Sequence, residues 1–416
     1  MRRFCLRLSA SAAPSPFASV KLGPPDAILG LTVAFNNDTF AKKVNLGVGA
    51  YRDDNGKPVV LNCVKEAEKR VLALNNHEYA PIQGVDSFVS AAQKLILGNN
   101  SSLLKDKRAA SVQAISGTGS LRVGAEFLKR FFPKKIIYMP NPTWGNHTPV
   151  FKDCDFDVRQ YTYYNPSTCG LNIEALLGDL AKAEEGSVVL LHACAHNPTG
   201  VDPTAAQWTQ IKDVVRGRNL YPFIDCAYQG FATGDPLQDA AMVRLFDDGT
   251  PNGFVLAQSF AKNFGLYGER VGMFSVACRD QEEAERVLSQ VKILVRPMYS
   301  NPPIHGARLV GTVLNDEALA TEWRGELKGM VDRIILMRTE LKKTLTGLGS
   351  TLPWDHITSQ KGMFCFTGLK KDEVERMIKE FHIYLTGDGR ISIPGLTSKN
   401  VHYVAEAMYT CTKDRK

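Results

Sequence analysis

The sequence predicts an α/β fold built on a largely parallel sheet, and two observations predict it. Between about residues 112 and 278, short apolar runs (VQAI, KKIIYM, SVVLLH, YPFI, GFVLA and VGMFSVA) alternate with segments of helix length. Strands joined by helical crossovers give that alternation, and strands buried on both faces read as continuous apolar runs. The second observation is the character of the segments that come directly after the first five runs. These followers, SGTGS, PNPTWGNH, ACAHNPTG, DCAYQG and QSFAK, are polar, punctuated by Gly or Pro, or both. Ligands bind outside the carboxyl ends of parallel strands, so these five segments are expected to converge on one sheet edge.

Taken from the amino terminus, the chain opens on MRRFCLRLSASAAPSPF, rich in Arg, Ser and Ala, free of acids, with Arg3 and Arg7 four apart. That pattern fits an amphipathic mitochondrial presequence over residues 1–17, with a disordered tail as the plainer reading; its longest apolar run is too short for a secretory signal. The formal charge is +7, but Arg2, Arg3, Arg7 and Lys21 precede the first acid, Asp26, and the remainder carries only +3. Without a basic block interleaved with aromatics, nucleic-acid binding has no support. No run of 18 apolar residues occurs, which argues against a transmembrane helix. The nine cysteines include no C-x-x-C pair and are odd in number, so reduced thiols, no zinc site and a reducing compartment are expected.

Beyond the strand region, Trp323, Leu327, Met330, Ile334, Met337, Leu341 and Leu345 recur at spacings of four and three. This predicts a long amphipathic helix ended by Gly347, a structural strut between domains. From TLPWDH onward the pattern changes to short strands and helices, a smaller α+β unit. A chain of 416 residues is long enough for two or three domains.

The chemistry sits in the followers. An amine attacks carbonyls only when partly deprotonated, which requires desolvation or neighbouring positive charge; Lys262, just past a buried strand, could meet both. A lone lysine after a strand is more commonly a solvated loop residue. SGTGS (116–120) offers backbone amides and hydroxyls at a helix start, suited to a phosphate, with a plain tight turn as the alternative. It is not a dinucleotide fingerprint, because Arg122 stands where the third glycine is required. Asp225 ends a strand, with Tyr228 three residues on. A buried carboxylate there needs a cationic or N–H partner, and a protonated pyridine nitrogen would serve, although DCAY alone favours an N-cap aspartate opening a helix. Ser259 and Lys262 also spell S-x-x-K, but the companion S-D-N and K-T-G motifs of penicillin-binding proteins are absent. Together, an amine, a carboxylate, an aromatic, and hydroxyls, amides and an arginine match the handles of pyridoxal 5'-phosphate.

These motifs carry a resemblance. VNLGVGAYRDDNGKP, EYAPIQG, PNPTWGNH, HNPTG, DCAYQGF, SFAKNFGLYGERVG, SNPP and GRISIPGLTSKNV stand in one order from about residue 44 to 401. In this the chain resembles the aspartate aminotransferases, fold-type-I pyridoxal-phosphate enzymes. The resemblance implies a large domain (57–329) with a mostly parallel seven-stranded sheet sandwiched by helices, and a smaller discontinuous α+β domain (18–56 and 330–416). It implies transamination of aspartate and 2-oxoglutarate to oxaloacetate and glutamate, by ping-pong exchange in a mitochondrial or cytoplasmic homodimer.

By matching position, Lys262 would hold the cofactor as an internal aldimine and serve as general base and acid. Asp225 would keep the pyridine nitrogen protonated; Tyr228 and Asn197 would hydrogen-bond the phenolic oxygen; Trp144 would stack on the ring. Ser116, Gly117, Thr118, Ser259 and Arg270 would hold the phosphate. Arg390 would fork onto the substrate's α-carboxylate, with the Gly49 backbone and Phe364 closing over it. Arg296, for the distal carboxylate, and Tyr79, for the cofactor, would serve the neighbouring subunit's site. Two departures are visible: Pro297 biases Arg296 toward extended backbone, and Ser392 stands where many relatives carry Asn. A broader enzyme that also takes aromatic amino acids, an NAD-dependent dehydrogenase and a non-catalytic binding module are the competing readings.

Overall fold

Each apolar run forms a strand in the computed structural model, which describes residues 15–23, 27–250 and 253–415. The expected leader lies, for residues 1–14, outside the described residues. The central sheet contains β1 (Ala109–Ile115), β2 (Ile136–Asn141), β3 (Asp157–Thr162), β4 (Val188–His192), β5 (Tyr221–Cys226), β6 (Phe254–Ser259) and β7 (Val271–Ala277). Its seven strands are ordered β1-β7-β6-β5-β4-β2-β3. Neighbours are parallel from β6 through β3, and β7 runs antiparallel between β6 and β1.

Both faces of the sheet are covered, which explains the unbroken apolar runs. Along β4, Val189 and Leu191 enter one core while Val188 and Leu190 enter another. Successive residues point to opposite faces, so both faces must be apolar. The helix Ser116–Phe131 lies across β6 and β7. A Cβ at its Gly124 would stand 2.6 Å from Phe223 Cζ, so helix and sheet approach as closely as glycine permits.

After the sheet, Glu317–Gly347 forms the expected long helix, and Asp316 caps it by accepting from the Ala318 and Leu319 amides. Its predicted apolar stripe, from Trp323 to Leu345, is buried. It packs on the last helix, Val401–Thr412. Near the carboxyl end, Phe364–Phe366 pairs antiparallel with Arg390–Ser392. Val44–Asn45 pairs parallel with Ile383–Tyr384, tying the chain's beginning to its end.

Two expectations are corrected. Asp225 does not cap a helix: β5 continues through it to Cys226, pairing Asp225 with Ala257 and Cys226 with Gln258. Sheet registry overrides the local capping preference. Arg296 is not extended either, because the helix Gln281–Tyr299 runs through Arg296 and Pro297. Packing of Ala284, Val291, Leu294 and Val295 holds that helix together. The hydrogen bond that Pro297 cannot make would have gone to the carbonyl of Ile293, on an exposed residue where water can replace it. Among the described residues, no helix is long and apolar enough to cross a membrane, and no group of His, Cys, Asp or Glu could hold a metal ion.

Candidate active site

The five followers meet at one edge, as the parallel strands require. The antiparallel β7 starts at the edge where β6 ends, with Gly272 opposite Ser259. Arg270, immediately before β7, therefore returns beside Lys262, which comes just after β6. The loop between them has Arg270 in a left-handed conformation, φ 54°, and Arg270 donates to the Tyr267 carbonyl at 2.9 Å. A cleft of about 500 Å³, counted together with its solvent-open mouth, is lined by Ser116, Gly117, Thr118, Trp144, Asn197, Asp225, Tyr228, Lys262 and Arg270. Nine of the residues singled out from the sequence thus share one cleft.

Lys262 and Asp225 dominate its electrostatics. Burial pushes the Lys262 amine below the usual lysine range, with Arg270 adding to the depression and Asp225 opposing it. The Nζ lies 5.1 Å from the centre of the Tyr228 ring. Among the described residues it has no hydrogen bond or ion pair. Burial alone would raise the Asp225 carboxyl, but the hydrogen bond from His147 and the nearby Lys262 amine hold it below the carboxylate range. That bond joins His147 Nε2 to Asp225 Oδ2 at 3.0 Å. Behind it, Thr143 Oγ1 bridges His147 Nδ1 at 2.8 Å and His192 Nε2 at 3.0 Å. Burial pushes His192 down to about 3, so it stays neutral. Burial also raises the Tyr228 phenol, against the pull of Arg390.

An anion corner lies at the other end of the cleft. Ser116 takes φ 58° at the start of its helix, and its hydroxyl lies 3.2 Å from that of Ser259. The first turn of the helix directs free amides and the positive end of its dipole to this point. A Cβ on Gly117 would sit 3.1 Å from Ser259 Cβ, and one on Gly272 would sit 2.5 Å from the Ser116 carbonyl carbon. Both glycines allow the helix start to press against the β6–β7 turn.

Arg390, on the last paired strand, reaches the same region and is buried. It donates to Asn197 Oδ1 at 3.2 Å and to the Gly47 carbonyl at 3.0 Å, while its Nε has no partner. The guanidinium lies 4.2 Å over the Phe364 ring, whose Cζ stands 2.9 Å from where a Cβ on Gly49 would be. Arg296 and Tyr79 are elsewhere. Both are exposed; Arg296 donates to Ser300 and Asn301, and Asn301 donates to the Ala80 carbonyl next to Tyr79.

Residues 41–408 match the sequence family described as Aminotransferase class I and II. The chain belongs to that family. This aminotransferase is 57% identical to the mitochondrial aspartate aminotransferase of Dictyostelium discoideum, over 96% of its own length and 93% of that protein's. It resembles the structure of a mitochondrial aspartate aminotransferase from Trypanosoma brucei at TM-score 0.89 and 46% identity, covering 92% of this chain and 100% of that one. An aromatic-amino-acid aminotransferase from Burkholderia pseudomallei, covalently bound to pyridoxal phosphate, aligns at TM-score 0.93 and 44% identity, covering 95% of this chain and 99% of that one.

The cleft of this aminotransferase suits that cofactor on its own chemistry. It offers an unpartnered amine, an ionised carboxylate with one oxygen committed to His147, and an anion corner of hydroxyls and helix amides beside Arg270. The motif PNPTWGNH contains His147, but the sequence alone assigns that residue no role. Its only local signal is its place three residues after Trp144; Thr143 and His192 carry none.

Proposed function

We propose that the protein transfers amino groups between aspartate and 2-oxoglutarate, giving oxaloacetate and glutamate, with pyridoxal 5'-phosphate as cofactor. The observation that carries this is the unpartnered amine of Lys262 in one cleft with Asp225 and the Ser116 to Thr118 helix start. Ser116, Gly117, Thr118, Ser259 and Arg270 would hold the phosphate, Trp144 would cover the ring face, and Asn197 and Tyr228 would bond its phenolic oxygen. Asp225, held ionised, would keep a proton on the ring nitrogen. Bound there, the cofactor supplies an electron-withdrawing ring that makes the substrate's Cα–H acidic. Lys262, its basicity reduced by burial, would take that proton from Cα as general base and deliver it to the cofactor's C4′ as general acid. Arg390 would orient the α-carboxylate through its guanidinium fork.

We infer a homodimer with shared sites, in which Arg296 and Tyr79 complete the partner's cleft. Their exposure, away from their own cleft, supports this, as do the exposed apolar side chains Leu72, Leu74, Ile293 and Met298. Residues 18–56 and 330–416 form the smaller domain, a division supported by the pairing of Val44 with Ile383. The named mitochondrial relatives support the same compartment here, and their names favour aspartate over aromatic substrates. Absorption spectra test the reading. The purified protein should absorb in the visible and near-ultraviolet, change on adding aspartate and revert with 2-oxoglutarate, and the Lys262→Ala protein should not cycle. A colourless protein that gains no absorbance on adding pyridoxal phosphate would overturn it.

A further inference from the structure

We propose that Arg338 is a positioning residue for the substrate-carboxylate site, acting through Phe364 on Arg390. The inference rests on Arg390 being the group that binds the α-carboxylate. Arg338 projects from the helix Glu317–Gly347 and is 2% exposed, yet no carboxylate faces it among the described residues. Its donors go to backbone instead: Nη1 to the Ile357 carbonyl at 2.8 Å, Nη2 to that of Gly362 at 2.9 Å and to that of Phe364. Its Nε has no partner. A buried cation without a counter-charge is costly, and apolar packing serves stability better. What this cation secures is the path of one segment.

That segment is clamped from the opposite side as well. Gly200, in the HNPTG loop that carries Asn197, accepts from the Lys361 amide at 2.6 Å. It has φ +66°, and a Cβ there would stand 2.8 Å from the Phe364 carbonyl oxygen. The Phe364 carbonyl thus sits between Arg338 and the loop of Asn197, with no room to drift. On the front, Phe364 pairs with Ser392 and Phe366 with Arg390. Phe364 and Arg390 are therefore diagonal neighbours on one face of this two-stranded sheet. The ring supports the guanidinium at 4.2 Å and has Gly49 and Tyr228 on its other sides. Arg338 fixes the backbone, the backbone fixes the ring, and the ring fixes the plane of the fork.

The test compares Arg338→Met, Phe364→Ala, their combination, Arg338→Lys and Arg390→Lys as holoenzymes. Steady-state kinetics with aspartate, calorimetric affinity for the unreactive dicarboxylate succinate, and Tm are measured for each. Arg338→Met should raise KM about tenfold while kcat changes by less than about twofold. Succinate should weaken in parallel, and Arg338→Lys should recover part of both losses. In the Phe364→Ala background the same replacement should add nothing, because the intermediary is gone. An equal increment in both backgrounds, or a lower Tm with KM and succinate affinity unchanged, overturns the proposal. Should Arg338→Met fail to fold, Arg338→Lys carries the same comparison. If Arg390→Lys leaves KM and succinate affinity unmoved, the reading of Arg390 fails; a normal response there with additive Arg338 effects sinks this inference alone.

Discussion

His147 Nε2 donates to Asp225 Oδ2 at 3.0 Å, with both side chains withdrawn from solvent. The bond occupies one carboxylate oxygen and leaves the other for the cleft. Asp225→Asn removes the charge while keeping the shape, and kcat should fall by about 10²–10³-fold, the usual effect of losing one electrostatic anchor. His147→Leu should act more mildly and move the acid limb of the kcat profile to higher pH, since the hydrogen bond is what lowers Asp225 against its burial. An unchanged acid limb in His147→Leu would show that the bond does not tune the carboxylate.

Lys262 gives a stability prediction of defined sign. Its native pKa is lowered, so between that value and the unfolded one the unfolded chain binds more protons. Stability then rises with pH across the window, because a burden present at low pH is relieved as the amine deprotonates. Cofactor-free wild-type protein should be less stable than cofactor-free Lys262→Met near neutrality. The gap should narrow as pH rises through the native pKa, as read by urea denaturation. A pH-independent gap would mean that the amine is not desolvated.

Gly272 faces the Ser116 carbonyl so closely that a Cβ would overlap it at 2.5 Å. Backbone cannot yield as a flexible side chain would. Gly272→Ala should destabilise the protein by about 1–3 kcal/mol and move the helix start away from Ser259. The phosphate corner would open, so retention of pyridoxal phosphate on dialysis should drop more than Tm predicts. Full retention would separate the corner from cofactor binding.

Much of this site was legible because parallel strands buried on both faces leave long apolar runs, and the polar residue after each run marks the sheet edge. The exceptions have physical causes. β3, with the sequence DVRQYT, is an edge strand whose polar residues meet solvent, so it carries no apolar run. Asp225 read as a helix cap because capping preference is local, whereas its pairing partner Ala257 lies on a different strand, 32 residues further along the chain. The helical state of Arg296 depends on packing earlier in the same helix and outweighs the bias from Pro297. Ser392 remains without an account: its hydroxyl is buried and unpartnered.

The exposed position of Arg296 leads to a complementation experiment. If each cleft takes Lys262 from one subunit and Arg296 from its partner, two defective variants can repair one another. In a hybrid of Lys262→Ala with Arg296→Ala, one cleft lacks both groups and the other has both intact. Random reassortment after dissociation makes half the dimers hybrid, each with one working site. An equal mixture should therefore recover about a quarter of wild-type aspartate activity, although neither parent has appreciable activity alone. Should Arg296 act within its own subunit, every cleft in the hybrid would carry a defect and mixing would restore nothing. Recovery must also require dissociation, so mixing without a denaturing or dilution step should leave the activity low.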